Sequence, residues 1–172
     1  TAAELQQQLA VLGNDFKGSQ LDSQFTQYLN APYVLEKQVP PTLELPTMNG
    51  TAAPLLQSKA RFTLIIFWAS WCGPCRKEIP ALKKIAAKYP SELLGLCSVS
   101  IDTEPEKWRN ALGEEQMPWQ QLLARGKDRD LIGQHFLLPF IPKAYLVNST
   151  GKVIRIFEGN NENMEAELDK LK

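Results

Sequence analysis

The hydrophobic pattern of the chain changes character near residue 62. Before it, apolar positions are sparse and set at helical spacing. Leu5, Leu9 and Leu12 share one face and Gly13 suits a C-cap, while Leu21, Phe25, Tyr28 and Leu29 mark a second short helix. Residues 1–31 therefore read as a helical lead-in, and residues 32–172 as the main domain. Five of the twelve prolines (Pro32, Pro40, Pro41, Pro46, Pro54) fall between residues 32 and 54. Proline fixes φ and removes a donor, so this stretch is loop and edge strand. Leu43 and Leu45 alternate with polar neighbours, and Asn49-Gly50 signals a hairpin turn.

From residue 62 onward strands and helices alternate. Phe62 to Trp68 is a continuous apolar run, as in a strand covered on both faces. Pro74 to Tyr89 carries Ile79, Leu82, Ile85 or Ala86, and Tyr89 on one helical face. Leu93 to Ile101 reads as a second buried strand. Glu104 to Leu112 reads as a short helix with Pro105 in its first turn. Trp119 to Leu123 predicts a short strand and Arg129 to Phe136 a helix. Ala144 to Val147 and Val153 to Phe157 form a hairpin around Asn148-Ser149-Thr150-Gly151, and Asn161 to Leu171 closes the chain as a helix. This order implies an α/β fold, a mixed sheet with helices on both faces. No internal repeat is present.

Composition excludes several classes. The chain has 172 residues, 44% hydrophobic and 22% charged, so a packed core is expected rather than disorder. Lys plus Arg is 19 and Asp plus Glu is 19. That balance argues against a nucleic-acid or anionic-membrane binder. The longest apolar run, Leu64 to Ala69, is far short of the ~20 residues of a membrane span, so no integral membrane domain is expected. The chain starts at Thr1 without Met, and the expectation is a processed or truncated product whose export signal is out of view.

Chemistry concentrates in Trp71-Cys72-Gly73-Pro74-Cys75, where the first buried strand meets a helix. Two cysteines at this spacing can close a disulfide within one turn. Cys72 falls at the helix N-terminus, where free N–H groups and the positive dipole end stabilise an anion. Its pKa should lie below the ~8.5 of free cysteine. Cys75, one turn inside, should be less exposed and less acidic. Pro74 suits the first turn and Gly73 a tight one. Five bases (Arg76, Lys77, Lys83, Lys84, Lys88) face one acid, Glu78, between Cys72 and Lys88. They either favour a thiolate or form a solvated basic face. A structural disulfide is one bland alternative for the pair, and half of a zinc site is the other. The zinc site would need two further ligands, and only Cys97, inside a buried strand, and His135, on a helix, are available. Trp68, Trp108 and Trp119 read as packing residues, and no Gly-rich phosphate loop is present for a nucleotide or flavin.

The stretch Phe67-Trp68-Ala69-Ser70-Trp71-Cys72-Gly73-Pro74-Cys75 resembles the active-site segment of the thioredoxin superfamily. The likeness continues at Pro80 and returns at Ile141-Pro142-Lys143-Ala144-Tyr145-Leu146-Val147 with Gly151-Lys152-Val153. Together with the Pro-rich N-terminal hairpin it is similar to the TlpA/ResA branch of bacterial cell-envelope thiol–disulfide oxidoreductases, related to the AhpC/TSA family, over about residues 38–172. The resemblance implies a thioredoxin-like fold with catalytic Cys72 and Cys75, no cofactor or metal, a disulfide-containing protein substrate, an upstream dithiol donor, and an envelope or periplasmic location. It implies that Ile141-Pro142 is cis and faces the cysteines; by itself, Pro142 is an ordinary loop proline. Trp71 would flank the thiol and shape the substrate groove.

One position departs from the family. The buried acid six residues before the first cysteine is replaced by Ile66. The related envelope proteins put an acid after the second strand, where this chain has Asp102 and Glu104. One of them would reach the space behind Cys75; alternatively Asp102 or Thr103 caps a helix and Glu104 is simply exposed. The Gly73-Pro74 dipeptide favours a reductase, with isomerase open. A thiol peroxidase of the AhpC/TSA type and a copper-binding envelope module are the other classes, distinguished by peroxide consumption and by metal titration.

Overall fold

A computed structural model describes residues 43–56, 59–136, 138, 140–159 and 163–171. The helical lead-in expected over residues 1–31 lies outside the described residues. Two short antiparallel strands, β1 (Glu44–Pro46) and β2 (Ala52–Pro54), come first. Their turn is closed by Gly50 N–H donating to Thr47 O at 3.0 Å, with Gly50 at φ 85°, a conformation glycine adopts without steric cost. A single bridge from Thr47 to Leu122 ties the hairpin to the main sheet.

That sheet has five strands in the order β5-β4-β3-β6-β7: β3 (Phe62–Trp68), β4 (Leu94–Ser100), β5 (Gln120–Leu123), β6 (Lys143–Asn148) and β7 (Val153–Glu158). Strands β3, β4 and β5 run parallel; β6 is antiparallel to β3, and β7 is antiparallel to β6. Side chains alternate across a strand, so β3 feeds two cores. Ile65 and Phe67 join Cys97, Val99, Tyr145 and Val147 on one face, covered by Leu45 and Leu55 of the hairpin and by Ile132 and Phe136. Leu64 and Ile66 join Leu94, Leu96, Ala144 and Leu146 on the other, covered by Leu82, Ile85, Tyr89, Met164 and Leu168. Each large apolar side chain here contributes roughly 1.5–3 kcal/mol on burial, which explains why β3 and β4 are mostly apolar, with Thr63, Ser98 and Ser100 the buried polar exceptions. Phe67, Phe136 and Tyr145 pack ring to ring, with centroids 5.0–5.9 Å apart.

Among the described residues, four helices connect and cover the strands: α1 (Gly73–Lys88), α2 (Pro105–Glu115), α3 (Lys127–His135) and α4 (Met164–Asp169). Helix α1 ends where Tyr89 turns extended (φ −104°, ψ 133°), as the residue before Pro90 must. Lys88 Nζ, 2.6 Å from Glu165 and 2.9 Å from Asp169, joins α1 to α4. The closing helix is shorter than the expected Asn161 to Leu171, starting at Met164. The first helix after β4 runs past Leu112 to Glu115, and α3 starts two residues before Arg129. In the last hairpin Asn148 Oδ1 accepts from Thr150 N, Thr150 Oγ1 and Lys152 N at 2.8–3.1 Å, and Gly151 takes φ 82°.

Candidate active site

The site forms where β3 ends. Trp68 O accepts the Ile101 amide at 3.0 Å, and Ala69 O accepts the Cys72 amide at 3.0 Å, turning the chain into α1. Cys72 is the N-cap of α1, and its Sγ accepts the Cys75 N–H at 3.2 Å. The sulfur thus takes the place of the side-chain oxygen that ordinarily satisfies an orphan donor of a helix. A thiolate there gains from that N–H and from the dipole. Cys72 and Cys75 are joined as a disulfide with their Cα atoms 5.3 Å apart. Beneath the pair lies an apolar cluster of Trp68, Ala69, Trp108, Ala111, Leu112 and Leu123.

Exposure does not distinguish the two cysteine residues as expected. Cys72 is 4% and Cys75 3% exposed, so the disulfide lies just under the surface. The asymmetry is one of partners: Cys72 Sγ receives the amide of α1 and lies 3.8 Å from Ile141 O. The Ile141–Pro142 peptide is cis, and Pro142 O accepts the Gly159 amide at 3.1 Å. Trp71, 63% exposed, stands beside the pair, with Gly73 and Pro74 also exposed.

The two acids after β4 have other partners than expected. Asp102 is buried at 1% exposure. Its Oδ2 accepts Ser70 N at 2.9 Å and Ser100 Oγ at 2.7 Å, and its Oδ1 accepts Ser70 Oγ at 2.7 Å. Asp102 therefore fastens the loop that carries Cys72, through Ser70. Neither it nor Thr103 caps α2; the N-cap is Glu104, which makes no capping hydrogen bond. Glu104 does not extend behind Cys75: its side chain, 61% exposed, pairs with Lys107 at 2.6 Å. Its solvated position follows from standing at the start of a surface helix, one turn from an opposite charge.

The basic first turn of α1 is also less free than its composition implies. Arg76 reaches across to the end of α2, 2.6 Å from Glu114 and 2.5 Å from Glu115. Hydrogen bonds to Glu115 and then Glu114 hold its guanidinium pKa above the ordinary value. Much of its charge is compensated before it reaches Cys72. Glu78, the one acid among those charges, sits one turn after Cys75 in α1 with Oε1 shielded from solvent. The i,i+3 spacing from Cys75 is the signal that points to it. Cys97 is a free buried thiol whose pKa burial pushes up to about 12. Trp68 and Trp108 pack in the cluster under the disulfide, and Trp119 Nε1 donates to Ser98 Oγ at 2.8 Å. The side chain of His135 lies outside the described residues.

The model of the family described as Redoxin matches residues 35–172. The chain belongs to the Redoxin family. Relatives of this Redoxin chain include the thioredoxin-like protein YneN of Bacillus subtilis, 26% identical over 140 residues that cover 79% of this chain and 80% of that protein. The thiol–disulfide oxidoreductase ResA of Bacillus thuringiensis is 24% identical over 133 residues, 76% of this chain and 75% of its own. Among solved structures, the thioredoxin domain of a thiol–disulfide oxidoreductase from Bacteroides vulgatus superposes with a TM-score of 0.71 at 24% identity, covering 81% of this chain and 99% of that one. The fold of this Redoxin chain is thioredoxin-like, of the TlpA/ResA type, and its Cys72–Cys75 pair is a dithiol redox centre.

Proposed function

We propose that the chain is a thiol–disulfide oxidoreductase that reduces disulfides of exported proteins, with Cys72 as nucleophile and Cys75 as resolving thiol. The observation that carries this reading is the placement of Cys72 Sγ at the N-terminus of α1, 3.2 Å from the Cys75 N–H and 3.8 Å from Ile141 O. The first stabilises a thiolate; the second puts a backbone carbonyl where an extended substrate chain can pair beside the sulfur.

In the reduced protein, Cys72 thiolate attacks one sulfur of a substrate disulfide. That S–S bond breaks, one substrate thiolate leaves, and a mixed disulfide forms. Cys75, deprotonated, then attacks Cys72 Sγ. The second substrate thiolate leaves, and the Cys72–Cys75 disulfide remains. Two electrons pass to the substrate, and the disulfide in the structure is the oxidised end of the cycle. An upstream dithiol restores the pair. Gly73 and Pro74 between the cysteines favour the reducing direction. The motif's likeness to cell-envelope oxidoreductases supports an envelope or periplasmic location. Among the described residues no helix is long and apolar enough to cross a membrane.

The test is reduction of insulin disulfides with a dithiol donor. Cys72→Ser abolishes turnover, and Cys75→Ser accumulates a mixed disulfide visible by mass. Full turnover by Cys72→Ser removes it as nucleophile. Peroxide consumption without disulfide reduction overturns the reading altogether.

A further inference from the structure

We propose that Phe140 selects an apolar side chain next to the attacked cysteine of the substrate, and that Lys143 is the positioning residue that holds its ring in place. This rests on the proposed function and names the substrate class of that same site.

Phe140 is 49% exposed and directly precedes Ile141, whose carbonyl oxygen is 3.8 Å from Cys72 Sγ. An exposed apolar side chain taken singly needs no explanation. What lies against this one does. Lys143, the first residue of β6, has a side chain only 4% exposed, and lysine is almost never buried unless paired. Its Nζ is 2.5 Å from Oε1 of Glu158, its cross-strand partner on β7. The same Nζ stands 5.7 Å from the ring centroid of Phe140 and 5.8 Å from that of Tyr145.

These contacts have a direction. Tyr145 is locked in the core by Phe67 and Phe136, and its hydroxyl donates to Phe136 O. Glu158 is fixed by the β6–β7 register. The ammonium is thus held by the sheet and offers its charge to the one ring in the set that reaches solvent. Stability alone is a poor reason for such a lysine, because an apolar residue of similar volume usually serves a buried position as well or better. An aliphatic side chain would not attract the face of an aromatic ring; a cation does.

The consequence is a preoriented ring beside the strand-pairing position at residue 141. Trp71, the residue before Cys72, is 63% exposed. Arg76, the charge nearest in sequence to Cys75, is engaged by Glu114 and Glu115. Two exposed rings, Trp71 and Phe140, thus directly precede the two residues that meet at the sulfur, Cys72 and Ile141. They match an extended disulfide chain carrying leucine or phenylalanine beside its cysteine.

The experiment compares kcat/KM for two extended disulfide peptides, differing only in leucine or glycine next to the attacked cysteine. The ratio is taken on one enzyme sample, so a partly misfolded variant does not distort it. Phe140→Leu and Lys143→Met each lower the leucine preference about fivefold, through KM rather than kcat, the size of one lost cation–π contact. The double variant loses no more than the larger single loss, because Lys143 acts through the ring. A Lys143→Met enzyme with the parent preference, or single losses that add in the double variant, would overturn the inference. The parent enzyme is also tested on a small-molecule disulfide. If it reduces neither that nor the peptides, the proposed function fails first. If it reduces them without preferring leucine, only the present inference fails.

Discussion

Replacing Asp102 by alanine should cost about 3 kcal/mol of stability, and replacing it by asparagine about 1 kcal/mol. The difference follows from the partners of the carboxylate. Oδ2 accepts two donors, Ser70 N and Ser100 Oγ, and Oδ1 accepts one, Ser70 Oγ. Alanine leaves the Ser70 amide and the fully buried Ser100 hydroxyl without an acceptor. Each costs ~1–3 kcal/mol, whereas the half-buried Ser70 hydroxyl can turn to water. Asparagine can put its oxygen where Oδ2 stands and its amide toward Ser70 Oγ, which then accepts instead of donating. Only the charge assistance is lost. Total stability for a domain is ~5–15 kcal/mol, so the alanine variant should still fold. With a urea slope of ~2–3 kcal/mol per molar, its midpoint falls by about 1–1.5 M and that of asparagine by less than about 0.5 M. Urea unfolding of the oxidised protein, followed by far-UV circular dichroism, measures both. An alanine midpoint within about 0.3 M of the parent, or an asparagine variant as unstable as alanine, would refute Asp102 as the anchor of the Cys72 loop.

Three further outcomes are expected. Glu114→Gln with Glu115→Gln releases Arg76 beside the cysteines, so the Cys72 thiol becomes more acidic; a pH profile of iodoacetamide labelling in the reduced protein should move to lower pH, and an unmoved profile counts against electrostatic reach from Arg76 to the thiol. The Cys97 thiol is raised by burial from 9.0 to about 12, so its contribution is complete below pH 9 and lost as pH rises toward 12. Stability there should fall by up to ~1.4 kcal/mol per pH unit more in the parent than in Cys97→Val, which urea midpoints between pH 8 and 11 can show. Gly50→Ala, at φ 85° with nothing near the added methyl, should cost about 1 kcal/mol in thermal or urea unfolding through backbone strain alone.

Local features of the site are visible in the order of residues. A Cys-Gly-Pro-Cys run after an apolar strand puts the first sulfur at a helix start, because Pro74 suits a first turn and the strand must leave the sheet there. The parallel core strands β3 and β4 show as largely apolar runs, and the Asn148–Gly151 turn shows as turn chemistry. Less visible was everything that depends on a partner far along the chain. Asp102 could be suspected as important from its place after β4, but not that Ser70, 32 residues earlier, would take up its carboxylate. Arg76 looked like a helper of the thiolate until Glu114 and Glu115 met it from α2.

The amino-acid order alone determined which atoms do the redox chemistry, since the spacing of Cys72 and Cys75 and the dipole of the helix they begin are properties of one short segment. Only the folded sheet decided what surrounds them. It brought residue 141 within reach of the sulfur, turned a lysine inward beneath an exposed ring, and chose which acids are buried. Backbone geometry over a few residues is nearly independent of context, whereas side-chain burial and charge pairing are set by elements that meet only when the core closes.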